Sequence, residues 1–201
     1  MIQKIIKRIT DFSFSLLGFI LLIPLFLIIS LLTKTDSKGP VFFRQNRLGK
    51  NGNAFLIWKF RTMVEEADKI EFDHSASNND PRITRVGKFL REWTLDEWPQ
   101  LINVIKGEMS LVGPRPLPIY QGQELSEIQK KRLRVLPGMI SLVDIKGRNL
   151  VPWEERFKID SWYINNWSLW LDLKILFLAP FVIFSRKGVY GEGGTNLPPK
   201  K

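Results

Sequence analysis

Asp96 and Glu97 stand side by side in the stretch TLDEWPQLINVIKGEMSLVGPRP, residues 94–116. An aspartate, with an ordinary pKa of about 3.9, is ionised at neutral pH and can attack an electrophile without a general base. A carboxylate that attacks a phosphate meets like charge, so such a site must also bring cations. The sequence offers Lys59, Arg61, Lys88, Arg91 and Arg115, and a divalent ion held by oxygen would add more. Successive side chains on a helix point about 100° apart, so the two acids do not readily serve one atom. One acid attacking while its neighbour helps to hold Mg2+ is the natural division. A structural reading stands beside this one, because Thr94-Leu95-Asp96-Glu97 has the T-x-x-E form of a capping box. Pro99 costs a bond if Thr94 caps and none if the helix starts at Asp96. Either register leaves both acids at a helix N-terminus, where the macrodipole favours carboxylate and phosphate alike.

Arg115 lies in Gly113-Pro114-Arg115-Pro116. Both prolines fix φ, and Pro116 keeps the residue before it out of the helical region. The arginine is thereby pre-positioned, and its planar fork suits phosphate. The plainer alternatives are a turn with a solvated arginine or a PxxP ligand.

The chain that carries these residues has 30 Lys+Arg against 20 Asp+Glu, a net charge of +10. That balance predicts anionic partners: nucleic acid, anionic lipid or phosphorylated small molecules. Cysteine is absent, which excludes disulfides and thiolate-bound zinc. His74 is the single histidine, which excludes multi-histidine zinc sites and weighs against a Ser-His-Asp triad. Any acid–base or nucleophilic chemistry falls to carboxylates, lysines or hydroxyls.

Residues 12–32, FSFSLLGFILLIPLFLIISLL, carry no charge, and roughly 20 apolar residues suffice to span a bilayer as a helix. Pro24 sits in the middle, where it deletes a backbone hydrogen bond. Both flanks are basic, with Lys4, Lys7 and Arg8 before and Lys34, Lys38, Arg44, Arg47 and Lys50 after. Positive charge marks the cytoplasmic side. Two basic flanks therefore favour a hairpin bent at Pro24 that returns to one face, with a kinked spanning helix as the alternative.

The remainder is predicted to form an α/β, mostly helical domain over residues 37–190. Strands are expected at 41–43 and 55–58 around a Gly49–Gly52 turn. Residues 62–70 read as helix, 71–81 as a polar loop, and 85–93 and 96–106 as two short helices. A basic amphipathic helix is predicted over 121–135, broken by Pro137-Gly138, then a strand over 140–146 and a helix over 152–168. Residues 169–185 are apolar but carry Asp172 and Lys174, which suits a helix at the membrane surface or in the core. Four of the seven tryptophans fall between 153 and 170, as expected of an interfacial platform. Residues 191–201 read as a flexible tail.

The block DPRITRVGKFLREWTLDEWPQLINVIKGEMSLVGPRP, residues 80–116, closely resembles the signature of the bacterial sugar transferase family, in its small monotopic form. QNRLG (45–49), WKFRTM (58–63), LPG (136–138), KGRN (146–149) and LDLKI (171–175) follow in the family's order. The resemblance implies a phosphoglycosyl transferase. A UDP-sugar would give its sugar-1-phosphate to undecaprenyl phosphate, releasing UMP, at the inner membrane with the catalytic domain facing the cytoplasm. It implies Asp96 as nucleophile through a covalent aspartyl phosphosugar, and Glu97, beside Asp96, as holder of Mg2+. Arg91 and Arg115 would bind phosphate, and Lys59 and Asp172 match active-site positions. It also implies that residues 1–36 form a re-entrant helix broken at a Ser-Pro pair, although Ile23 stands here where the serine would be. Residues 136–149, LPGMISLVDIKGRN, depart from the common R-P-G-I-T-G-x-A-Q-V-N-G-R-N at Leu136 and Asp144, among other positions. The partners implied are a nucleotide sugar, a polyprenyl phosphate and the bilayer, and not nucleic acid. The competing expectations are a membrane-anchored basic binding module and a metal-dependent phosphohydrolase.

Overall fold

The computed structural model describes residues 2–67, 80–123 and 125–190. His74 and the tail 191–201 lie outside them. A long helix, α1 (Ile2–Asp36), leads into a hairpin of β1 (Phe42–Leu48) and β2 (Ala54–Phe60), antiparallel with Phe42 opposite Phe60 and Leu48 opposite Ala54. The turn between them places Asn51 at φ 59° and Gly52 at φ 79°, left-handed backbone that asparagine and glycine tolerate best. The ladder carries the hairpin past the apolar runs into Gln45, Asn46 and Arg47, so both strands are longer than hydrophobicity alone predicts.

Five further helices follow: α2 (Arg85–Glu92), α3 (Leu101–Lys106), α4 (Ile119–Gln123), α5 (Leu142–Lys146) and α6 (Trp153–Asn165), before α7 (Leu169–Ser185) ends the described fold. A second sheet pairs β3 (Ser110–Val112) with β4 (Gly138–Ile140) in parallel. The described residues are thus mostly helical with two small sheets, as the α/β expectation requires.

Several local expectations are corrected. Residues 62–66 are not helical, while 68–70 and the polar loop expected at 71–81 lie, but for Asp80 and Pro81, outside the described residues. Val64 N donates to Arg82 O, Thr84 N donates to Thr62 O, and Met63 bridges Ile83, so cross-chain pairing overrides local helix propensity. Residues 96–106 do not form one helix. A 3-10 helix (Leu95–Gln100) containing Pro99 precedes α3, because proline disallows the α-helical bond it would have to donate. The basic helix over 121–135 divides into α4 and a 3-10 helix (Gln129–Arg134). Arg132 turns inward there to pair with Asp160 at 2.9 Å and to donate to Arg115 O at 2.8 Å. The strand expected at 140–146 is β4 followed by α5, which begins where Ser141 and Asp144 form a reciprocal capping box.

α1 runs without interruption through Pro24, so the expected break there is not a break in helical backbone; one proline removes one bond and the rest persist. The helix is docked along its length. Near its start Lys7 Nζ donates to Asp172 at 2.6 Å and Arg8 donates to the carbonyls of Val104 (2.7 Å) and Ile105 (3.0 Å). Asp11 accepts from Ser110 Oγ at 2.7 Å. Further along, Phe26 and Ile29 form a buried cluster with Phe60 and Leu90. At the far end buried Arg61 donates to the carbonyls of Thr33, Ser37 and Lys38, closing the last turn in the way cations satisfy helix C-termini. Asp36 accepts from Val86 N at 2.9 Å.

Candidate active site

Three local devices bring the predicted cations to the acid pair. β2 presents Lys59. α2 carries Arg91 and lies hard against the segment after β2, because Gly87 has no side chain there; a Cβ would sit 2.1 Å from Thr62 O. Arg91 Nε then donates to Thr62 Oγ1 at 2.8 Å. The third device is the β3–β4 crossing. A Cβ on Gly138 would lie 2.0 Å from Gly113 N, so glycine lets the two strands close where the chain leaves for Pro114-Arg115-Pro116.

Thr94 does not cap. Its φ is 58°, left-handed, it makes no side-chain cap bond, and its Oγ1 accepts from Arg148 Nη2 at 2.7 Å. The capping-box reading of Glu97 therefore gives way to an ion-pair role. Glu97 Oε1 accepts from Lys59 Nζ at 2.6 Å and from Arg115 Nη2, while Oε2 accepts from Arg115 Nη1 at 3.1 Å. Burial alone would push the Glu97 carboxyl up, but Arg115 and Lys59 overcome it and hold it well below the usual carboxylate range. Burial lowers the Lys59 ammonium, against Glu97, which raises it.

Asp96 is treated differently by the same surroundings. Its partly exposed carboxylate accepts no hydrogen bond from the described residues. Burial first, then the charge of Glu97, push its carboxyl up to about 6 against Lys59, Arg91 and Arg115. It borders a cavity of 520 Å3 lined also by Arg44, Arg47, Lys59, Arg61 and Arg91 and walled by Phe42, Phe43 and Phe60. The two adjacent acids thus differ: Glu97 is a fixed anion clamped by two cations, and Asp96 is a more basic carboxylate with free lone pairs.

Lys59, Arg91 and Arg115 are brought to the pair; Asp172 is not. Its carboxylate accepts from Lys7, from Tyr163 OH at 2.6 Å and from Trp167 Nε1 at 3.0 Å, so its three partners tie α1, α6 and the start of α7 together. In this structure Asp172 serves as a joint between helices, apart from the ion pairs of Glu97. Asp172→Ala leaves three donors without their acceptor, and breaking a buried pair costs about 3–5 kcal/mol. The thermal midpoint in detergent is expected to fall by about 6 °C or more; a midpoint within about 2 °C of wild type would return Asp172 to the ligand-binding residues. Among the other candidates, Arg61 lines the cavity but is spent on the end of α1, and Lys88 is exposed on α2. Arg47 and Arg148 also border the site; the sequence marks Arg47 only as part of a basic flank, and both as members of the QNRLG and KGRN motifs.

Among the described residues no three His, Cys, Asp or Glu side chains converge. Mg2+ commonly uses one or two carboxylates and takes its other ligands from phosphates and water. Glu97 Oε2, which accepts a single bond, and the unbonded Asp96 carboxylate fit that limited requirement.

The family model described as bacterial sugar transferase matches residues 2–186. The chain is 45% identical over 199 residues to a UDP-glucose:undecaprenyl-phosphate glucose-1-phosphate transferase of Klebsiella pneumoniae, covering 94% of this chain and 42% of that protein. It is 41% identical over 198 residues to the protein of the same name in Escherichia coli strain K12, covering 94% and 42%. Identity to the exopolysaccharide production protein ExoY of Sinorhizobium fredii is 40% over 200 residues, covering 92% and 88%. The chain thus spans less than half the length of the first two.

Proposed function

This chain belongs to the bacterial sugar transferase family, and from that premise we propose that it transfers a sugar-1-phosphate from a UDP-sugar to undecaprenyl phosphate. The carrying observation is the asymmetry of the acid pair: an unbonded, partly protonatable Asp96 beside a Glu97 locked to Lys59 and Arg115. In the first half-reaction an Asp96 carboxylate oxygen attacks the phosphorus next to the sugar. The bond from that phosphorus to the bridging oxygen breaks, and the oxygen leaves with its electron pair as part of UMP. In the second, an oxygen of the lipid phosphate attacks the same phosphorus, and the Asp96–phosphorus bond breaks to restore the carboxylate. Neither step needs a proton at the nucleophile, because the carboxylate attacks in its ionised form. Lys59 and Arg91 offset the charge of the phosphates, and Arg115, fixed on Glu97, presents its remaining donors. Mg2+ held by Glu97 with Asp96 would supply further positive charge at the diphosphate.

A pKa near 6 makes Asp96 a better nucleophile than an ordinary carboxylate while leaving it mostly ionised at neutral pH. The group must be deprotonated to attack, so kcat/KM for the donor falls about tenfold per pH unit below about 6 and is flat above it. An acid limb near 4 would contradict the raised value.

The bilayer placement rests on α1 and α7. A straight 35-residue helix is about 50 Å long. Its residues 7–11 and 26–36 both grip the one domain, which fits a helix that stays on one leaflet better than one that crosses. On α7, Trp170, Leu173, Phe177, Phe181 and Phe184 are exposed while Asp172, Ile175 and Ala179 face inward, an arrangement suited to the interface. Two basic flanks put that face in the cytoplasm. Cysteines at residues 3 and 36 are expected to react with an impermeant reagent from the same side; labelling from opposite sides would mean a span.

The deciding experiment omits the lipid. With UDP-sugar and Mg2+ alone, the protein releases no more than one equivalent of UMP and gains the mass of one phosphosugar. Repeated turnover to free sugar-1-phosphate would make it a phosphohydrolase, and no UMP at all would make it a binding module.

A further inference from the structure

A second cavity, of 230 Å3, shares Arg47 with the Asp96 cavity and has Arg115 in its wall. Five arginines line it, Arg47, Arg115, Arg132, Arg148 and Arg156, against two carboxylates, Asp144 and Asp160. Arg115 is answered by Glu97 and Arg132 by Asp160, so the wall keeps a surplus of positive charge. Burial lowers the guanidinium of Arg47 to about 10, with Arg115 adding to the effect, and burial lowers Arg132, Arg148 and Arg156 as well. Such a cluster is held in a less favourable state than its members have in water, and a bound anion relieves it.

The lining is also short of partners. Arg47 Nε, Gln121 Oε1, Arg132 Nη1, Arg148 Nη1 and Trp153 Nε1 are buried polar atoms with no hydrogen-bond partner among the described residues. Gln121 is 6% and Arg132 7% exposed. Buried polar groups in native proteins are nearly always satisfied, so this concentration at one cavity marks where a polar ligand belongs.

We infer that this cavity receives the nucleoside 5′-monophosphate part of the donor, the part that departs when Asp96 attacks. The inference rests on the reading under Proposed function. Charge decides between the donor's two ends. A nucleoside monophosphate gathers negative charge as it leaves, which the arginines can take up, whereas a neutral hexose brings none. The remaining lining fits a pyrimidine base. The Trp153 N–H and the Gln121 amide supply donors and an acceptor for an edge of two carbonyls flanking an N–H. The Trp153 ring, with Arg156 over it at 4.8 Å and Phe157 packed against it at 5.9 Å, adds an aromatic wall. Arg47 and Arg115 then stand where the diphosphate passes from one cavity to the other.

The test uses the full chain in detergent, titrated calorimetrically with UMP, glucose 1-phosphate and inorganic phosphate. UMP binds more tightly than inorganic phosphate by about tenfold or more. Trp153→Phe, which keeps an aromatic ring and loses the N–H, and Gln121→Leu each weaken UMP by about fivefold or more and raise the donor KM without lowering kcat. Neither changes glucose 1-phosphate affinity. The inference is overturned if UMP binds no better than inorganic phosphate, or if the variants weaken glucose 1-phosphate instead, which would assign the cavity to the sugar. Because UMP binding involves no turnover, it stands or falls separately from the aspartyl route: an Asp96→Asn protein that still turns over would refute that route while leaving the UMP titrations intact.

Discussion

Asp96→Asn is expected to slow UMP release from a UDP-sugar by at least about a thousandfold, the scale of losing a catalytic nucleophile, while leaving the protein as stable as wild type or more so. An amide of the same shape has no anionic oxygen to attack phosphorus. The stability half follows from linkage. Burial and Glu97 raise the folded carboxyl to about 6, above its value of about 3.9 in an unfolded chain. Ionised Asp96 therefore opposes folding above pH 6, and that opposition fades as pH falls toward 4. A neutral asparagine removes it at pH 7. Loss of turnover together with an undiminished thermal midpoint marks a group kept for chemistry at the expense of stability. Residual activity above about a tenth of wild type would remove Asp96 from the reaction.

Glu97→Gln is expected to do the opposite to stability. The Glu97 carboxyl is held low by Arg115 and Lys59, so its contribution is present above its unfolded pKa and lost as pH falls through the folded one. With glutamine in place, Lys59 is left buried without its anion. Breaking such a pair costs about 3–5 kcal/mol, and the lower end applies because the Arg115 side chain is 46% exposed and water recovers part of its loss. A fall in thermal midpoint of about 6–12 °C follows at the usual 2–4 °C per kcal/mol for this size. Turnover falls by about a hundredfold, because Arg115 and Lys59 no longer hold their positions. Adding Lys59→Met to Glu97→Gln restores part of the midpoint without restoring turnover, since the second change removes the stranded cation but not the need for it. A single variant melting within about 2 °C of wild type would mean that the triad is not what orders the site.

Residue type singled out the acid pair and its cations in sequence, beside the plainer capping and turn readings, and the structure gathers Lys59 and Arg115 on Glu97. The long N-terminal helix was legible from length and apolarity. What the sequence hid was decided across the chain. Thr94 looks like a cap until its hydroxyl is claimed by Arg148, 54 residues away. Arg132 sits in an apparent amphipathic helix until Asp160 pulls it inward. Asp172 shows no partner in its own stretch of sequence beyond Trp167, yet Lys7 and Tyr163 are found on it. In each case a long-range polar contact, which no window of local periodicity contains, outweighs local preference. Pro99 and Ser141 show the converse. Their effects on helix form are local, and the correct helix boundaries at 100–101 and 141–142 could have been read from proline chemistry and from Ser141 with Asp144 three residues on.

The grip of α1 on the domain changes what that helix is for. Removing it would strip Asp172 and Ser110 of charged partners, free the Val104 and Ile105 carbonyls, and bare Phe60 and Leu90. The segment that is long and apolar enough to cross a membrane is therefore also a beam of the fold and not a mooring rope. Trimming it to obtain a water-soluble enzyme would bring down the frame that aims the acids.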